Sequence, residues 1–403
     1  MFGTTFTFRC LLIAMLIFVN KQFSTAQLTL SMDESVAVAL SNHPMAKNAL
    51  LAEQKDMLSQ KQSVELAPVQ AKHWHINAND GNDRLWSVTQ DFGIIPEHVR
   101  RVKHGRLTTS ANRTERALTL DELTWQVKAA YLNLVCCKER LSVMQEHDRY
   151  FEALINTAEI YLASDTIDEL VRVSTGARYA AYQSSMYIAE EEAKRAEARL
   201  RQLLYTDEPI DILQTKSRLY EIHPDRNPAD RFEPVNRKAA DHARSEVAKS
   251  TIAVEKSKLF PAVHAGYINQ YIPGTGNYGG WMLGISVPLW WQPQLSRIKQ
   301  AEIDFRMKEN ETKYNRFSDL QHTEMLKSLL NEYFVQISFS SENLLTEAEL
   351  ILAEIEKQFA EGKINNHAAT FTKAHNAISA KLNHLEYINQ YNQTALELEF
   401  YTR

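Results

Sequence analysis

Two spacings of apolar residues divide this chain. Over most of its length they recur at intervals of three and four, as in Leu345, Ala348, Leu352, Ile355 and Phe359, the seam by which one helix packs on another. In two short windows, about residues 70–96 and 261–291, the interval becomes two. In the first, His73-Trp74-His75-Ile76-Asn77 alternates, Asp80-Gly81-Asn82 turns the chain, and Leu85-Trp86-Ser87-Val88-Thr89 alternates back. In the second, Val263 to Ile272 leads through Pro273-Gly274-Thr275-Gly276 into a run whose Trp281, Leu283, Ile285, Val287 and Leu289 share one face. Each window predicts a β-hairpin. Eight of the 12 glycines and five of the 6 tryptophans fall in these windows, so the remaining chain is free to form long uninterrupted helices.

The pattern occurs twice. Ile160 to Ile167 matches Lys357 to Ile364 at an offset of 197, which also sets Phe92 on Leu289 and brings Arg101-Val102-Lys103 near Arg297-Ile298-Lys299. The chain therefore reads as a tandem duplication. A first repeat spans 27–205, with a helix, the hairpin at about 70–94 and a long helical hairpin whose tip lies at about 162–167. A linker covers 206–234, which holds four of the 11 prolines. The second repeat spans 235–403, with its hairpin at about 261–290 and its tip at about 359–364. No proline occurs from Glu97 to Ser164 or from Gln294 to Ala360. At ~1.5 Å per residue each rod reaches ~100 Å, and such a rod needs neighbours to bury its apolar stripe.

Arg9, the apolar run Cys10 to Val19 and Ser24-Thr25-Ala26 read as a signal peptide over residues 1–26. The net charge of −5 becomes −7 once Arg9 and Lys21 leave with it, which argues against nucleic acid as a partner. No later apolar stretch reaches the ~18 residues of a spanning helix, so entry into a membrane falls to the strands. The residues expected to face lipid are Trp74, Trp86, Trp281, Leu283, Ile285 and Val287, with Met282, Gly284, Ser286 and Pro288 turned inward. Four strands cannot close a barrel, and an open edge in lipid leaves backbone groups unsatisfied at several kcal/mol each. Three copies pooling their strands make a barrel of about twelve, an even number as outer-membrane barrels have.

Catalytic chemistry is not expected. HExxH, a Walker loop and a nucleophile elbow are all missing. Gly274-Thr275-Gly276-Asn277-Tyr278-Gly279 matches GxGxxG, but a strand follows it rather than a helix. His73 and His75, on one strand face, are candidate metal ligands; the competing reading is polar lining of a lumen. Cys136 and Cys137 are adjacent in a helical pattern, where disulfide geometry is unfavourable. No cofactor is expected.

The segment Leu30-Ser31-Met32-Asp33-Glu34-Ser35-Val36-Ala37-Val38-Ala39-Leu40-Ser41-Asn42-His43-Pro44 resembles the first helix of the TolC family of outer-membrane efflux proteins. Leu283-Gly284-Ile285-Ser286-Val287-Pro288-Leu289-Trp290 resembles that family's last strand, and the two tips resemble its helical turns. The resemblance implies a chain that is mainly α with a small β part. Tandem long α-hairpins and two β-hairpins would form a homotrimer, with a 12-stranded barrel in the outer membrane continuous with an α-helical barrel in the periplasm. It also implies a periplasmic adaptor and an inner-membrane pump of the RND type as partners, alongside outer-membrane lipid. The docking residues would be the tips, Leu162, Ala163, Ser164, Asp165, Thr166 and Ile167 with Phe359, Ala360, Glu361, Gly362, Lys363 and Ile364. Where family members often carry an aspartate ring, this chain has Ala368, Ala369, Thr370 and Phe371. Asp165, Asp168 and Glu169 are candidates for the gate instead, and Phe371 for an apolar constriction. Within the family the texture is nearest the CusC- and CzcC-like metal exporters; drug efflux and type I protein secretion are alternative duties. Outside it, the alternatives are an exported coiled-coil protein whose hairpins pack on another protein and a metalloenzyme built on His73 and His75.

Overall fold

The computed structural model describes residues 28–62, 65–78, 81–163, 169–221, 235–362 and 366–402. In chain order the elements are β1 (Leu28–Leu30), α1 (Met32–Asn42), α2 (Pro44–Lys61), β2 (Gln70–Ala78), β3 (Gly81–Gly93), α3 (Ile95–Ala163), α4 (Glu169–Leu204) and β4 (Ile210–Ile212). There follow α5 (Val235–Ser257), β5 (Ala262–Ile272), β6 (Gly276–Ser286), α6 (Gln292–Phe339), a π-helical turn (Ser340–Leu344), α7 (Leu345–Ala360) and α8 (His367–Thr402). This is the expected mainly helical architecture with a small sheet. Residues 1–26, expected from the sequence to be a signal peptide, lie outside the described residues. Among the described residues no helix is long and apolar enough to cross a membrane.

Two compact units emerge, and they do not follow the duplication. One takes Met1–His43, Gln126–Tyr220 and Glu332–Gln393; the other takes Pro44–Trp125, Glu221–Asn331 and Thr394–Arg403. Each draws on both repeats because α3, α6 and α8 contribute residues to both.

In the first unit the 3,4 seam on α7 does what its spacing predicts. Ala348, Leu352 and Ile355 are buried with Phe151 and Leu154 of α3, Tyr182 and Ala189 of α4, and Phe371, Ala374 and Ile378 of α8. Small residues at the contacts let the helices approach, and the Phe151 ring sits 4.3 Å from Tyr182 and 4.5 Å from Phe371. The π-helical turn was not legible in the spacing. It falls at Ser340-Ser341, where Ser340 is buried and its Oγ lies 2.6 Å from His384 Nδ1, a side-chain partner that helps hold a widened turn.

The described part of the linker, 206–221, is strapped to helices rather than left loose. β4 pairs in parallel with β1, Leu28 to Ile210 and Leu30 to Ile212, which adds a strand pair the sequence reading lacked. Tyr131 Oη donates to Leu30 O at 3.1 Å, and Asn392 takes Tyr220 N–H at 2.7 Å while donating to Arg218 O at 2.8 Å. At the start of α1, Ser31 and Glu34 form a reciprocal capping box.

The second unit holds one antiparallel sheet of order β2-β3-β5-β6. The two predicted hairpins are therefore joined through β3 and β5, which pair from Arg84–Tyr271 to Gly93–Val263 with a shift between Asp91 and Gly93. Helices beside it are fastened by charge. Asp56 of α2 meets Arg116 of α3 at 2.5 Å, Glu115 of α3 meets Arg244 of α5 at 2.6 Å, and Asp319 of α6 meets Arg237 of α5 at 2.7 Å.

Candidate functional site: a sheet with two exposed faces

Register assigns every strand residue to one of two faces, since side chains alternate. His73 stands opposite Trp86, Trp86 opposite Asn269, Tyr267 opposite Trp281, Ala265 opposite Leu283 and Val263 opposite Ile285. One face therefore carries Trp86, Val88, Val263, Ala265, Tyr267, Trp281, Leu283 and Ile285. Its rings form a row across three strands, Trp86 to Tyr267 at 5.6 Å and Tyr267 to Trp281 at 5.3 Å. Gly279 makes the row possible: a Cβ there would overlap the Tyr267 hydroxyl. The opposite face carries Asp83, Ser87, Thr89, His264, Gly266, Gln270, Gly280, Met282, Gly284 and Ser286. Here the His264 imidazole fills the space a Cβ at Gly284 would need.

The aromatic face is left open. Trp281 is 86% exposed, Leu283 83% and Ile285 69%, although each is a residue that water disfavours. Val287 lies one residue beyond β6 and is also exposed. Trp74 departs from expectation. It pairs with Leu85 and so belongs, with Ile76, to the more polar face. His73 and His75 then fall on the aromatic face, opposite Trp86 and Arg84, instead of on the polar face proposed for lumen lining. The parity of β2 is one residue from that expected from the side chains alone, because pairing with β3, and not hydrophobicity within β2, sets which way it faces. No group of three or more His, Cys, Asp or Glu capable of holding a metal occurs among the described residues.

Strand length and edges complete the geometry. β2, β3, β5 and β6 have 9, 13, 11 and 11 residues, close to the ~9–11 of a tilted membrane-spanning strand. Within the described sheet β2 pairs only with β3 and β6 only with β5, so both outer edges carry free backbone donors and acceptors. The strands alternate in direction, so the two edges run antiparallel to each other.

In the first unit the tip residues divide. Ser164, Asp165, Thr166, Ile167, Asp168, Lys363 and Ile364 lie outside the described residues, and Leu162 and Ala163 are placed only as the end of α3. Phe359 packs at the margin of the core, and Gly362 ends α7 with φ +64°, donating N–H to Phe359 O at 3.1 Å. That left-handed stop is where glycine is favoured. Glu169 is exposed and held by the Arg172 guanidinium at 2.6 Å, which keeps its carboxyl below the usual carboxylate range. Phe371 is not a constriction: it is 3% exposed and packs on Phe151, because its i, i+3 neighbours Ala374 and Ala377 turn the same α8 face into the core. Burial pushes the Cys136 thiol up to about 12, an inert packing group against α8.

A mainly helical fold carrying an open four-stranded antiparallel sheet is what this chain shares with solved structures of outer-membrane channels. The outer-membrane channel OprN superposes with a TM-score of 0.75 at 13% identity, covering 92% of this chain and 91% of that one. CusC, solved for its folding and transmembrane channel formation, gives 0.74 at 12% identity over 93% of each chain. The Campylobacter jejuni CmeC outer membrane channel gives 0.74 at 10% identity over 92% of this chain and 85% of that one. No protein-family model and no curated protein matches the sequence.

Proposed function

We propose that this chain is a TolC-like outer-membrane channel, the passive exit duct of a tripartite efflux system. The observation that carries the reading is the open sheet: a face bearing Trp281, Leu283 and Ile285 that nothing among the described residues covers, bounded by two mutually antiparallel edges that are unpaired among those residues. Water penalises the face and lipid penalises the edges. Both penalties disappear if three copies join β6 of one to β2 of the next, giving an antiparallel barrel of about twelve strands within a bilayer. The helical part then lies in the periplasm, where the two tips dock a periplasmic adaptor that couples the duct to an inner-membrane pump of the RND type. Asp165, Asp168 and Glu169 form the charged gate in this reading.

Metal cations as cargo rest on the likeness of the sequence to the metal-exporting branch. CusC stands beside OprN and CmeC at nearly equal similarity, so the fold gives that branch no preference over drug export. An exported coiled-coil protein would need a cover for the aromatic face. The test is the state of the full-length protein in outer-membrane fractions. A trimer that survives detergent and falls apart on boiling is expected; a water-soluble monomer in the periplasm overturns the reading. For cargo, a deletion strain should become sensitive to copper or zinc salts but not to dyes and detergents, and the reverse pattern removes metal as cargo.

A further inference from the structure

The duplicated Arg101-Val102-Lys103 and Arg297-Ile298-Lys299 has no part in closing a barrel or docking a tip. Its surroundings give it one. In both repeats the helix that leaves the sheet presents residues four apart on a single face: Ile95, Val99 and Lys103 on α3, and Trp291, Leu295 and Lys299 at the start of α6, at a constant offset of 196. Trp291 belongs to that helical turn, since its carbonyl accepts from Leu295 N–H at 2.9 Å.

The apolar members of both series are open, at 54% for Ile95, 66% for Val99, 59% for Trp291 and 43% for Leu295. Lys103 and Lys299 are exposed beyond them, while Val102 is half-buried and Ile298 buried on the inner side. Arg101 is held by Glu97 at 2.7 Å, but Lys103 and Lys299 have no carboxylate within 4.0 Å among the described residues. From Ile95 to Arg106 the sequence carries four cations and one acid, Glu97, and from Gln292 to Gln300 two cations and no acid, with Arg297 lying near Glu255 of α5. A chain of net charge −5 thus wears a basic collar where its helices meet its greasy sheet.

Along each helix the order is apolar, apolar, ammonium over ~12 Å. That is the order of the boundary it would occupy, acyl chain first and phosphate next, with the lysine stem lying along apolar surface and its head reaching the polar layer. We infer that Lys103 and Lys299 bind the phosphate of anionic lipid headgroups in the leaflet that meets the helical end of the sheet. The inference rests on the channel reading, and it adds a lipid class that the reading does not supply.

The experiment uses the full-length protein purified in mild detergent and mixed with phosphatidylglycerol or phosphatidylcholine of the same chains. The readouts are lipid retained per protein and the temperature at which the oligomer separates. Phosphatidylglycerol should be retained preferentially and raise that temperature. The Lys103→Gln/Lys299→Gln double variant should retain it roughly thirtyfold more weakly, as loss of two surface ammonium groups predicts. Lys103→Arg/Lys299→Arg should keep the preference, as should Lys47→Gln/Lys313→Gln, which removes as much charge away from the collar. Equal retention of the two lipids by a stable trimer, or a double variant like the wild type, overturns the collar and leaves the channel reading intact. Inorganic phosphate reproducing the stabilisation would also overturn it, by showing a small-anion site. A chain that stays monomeric in detergent overturns the channel reading itself.

Discussion

Aromatic side chains in the two compact units meet opposite fates. The Phe151 ring lies 4.3 Å from Tyr182 and 4.5 Å from Phe371, and the three are 0%, 4% and 3% exposed. Trp86, Tyr267 and Trp281 also form a row, yet Trp281 remains 86% exposed. Ring contact is common to both; cover is not. In the first unit helices enclose the rings on every side, so the folded chain completes that core alone. In the second a sheet offers its face to whatever lies outside, and in the proposed channel the missing half of that core is lipid.

Substitutions should break this contrast in a graded way. Phe151→Ala removes a fully buried ring, and a loss of about 3–5 kcal/mol is expected, visible as a lower unfolding temperature of the detergent-solubilised protein. An unchanged temperature would mean that the seam does not hold the first unit together. Trp281→Arg should behave oppositely in water and in a membrane. The isolated chain should barely notice it, whereas insertion should lose about 2–4 kcal/mol if the residue lies at mid-bilayer; trimer yield in membranes relative to total expression reads the difference. Equal yields would place that face in water.

Gly362 gives a smaller effect of a different kind. A Cβ there meets nothing within 4 Å, but φ is +64°, so Gly362→Ala should cost about 1–2 kcal/mol through the backbone alone. Gly362→Asn should cost less, because asparagine tolerates that conformation. If the tip docks an adaptor, a bulky or charged residue at Gly362 should abolish export while trimers persist, and unchanged resistance in a sensitised strain would contradict docking there.

The smallest expected effect is on pH. Burial holds His147 and His384 below the usual histidine range. A depressed folded-state value means that their contribution is present above the unfolded histidine range and is lost as pH falls through the folded value. The unfolding temperature should therefore decline on acidification below about 6.5, and His384→Gln should make the decline shallower. A slope that His384→Gln leaves unchanged would assign the decline to other groups.

Much of this architecture was legible in order and spacing. The 3,4 seam placed Ala348, Leu352 and Ile355 in a core, and the switch to a period of two located all four long strands. The candidate site was legible only in part. Trp281, Leu283 and Ile285 share a face as their alternation required and strand pairing puts Trp86 on the same face, but Trp74 and the His73–His75 pair are exchanged between faces. Alternation within one strand says which residues go together, and it carries no information on which side of the sheet they take.

By itself, the sequence determined the type and order of the main elements, because helix and strand periods and turn residues act over a few neighbouring positions. Tertiary structure alone decided the pairing of β3 with β5, the parity of β2, the burial of Phe371 and the anchoring of the linker by Tyr131 and Asn392. Those outcomes depend on contacts between residues far apart in the chain, and only the closing of loops and the competition for backbone partners selects among them.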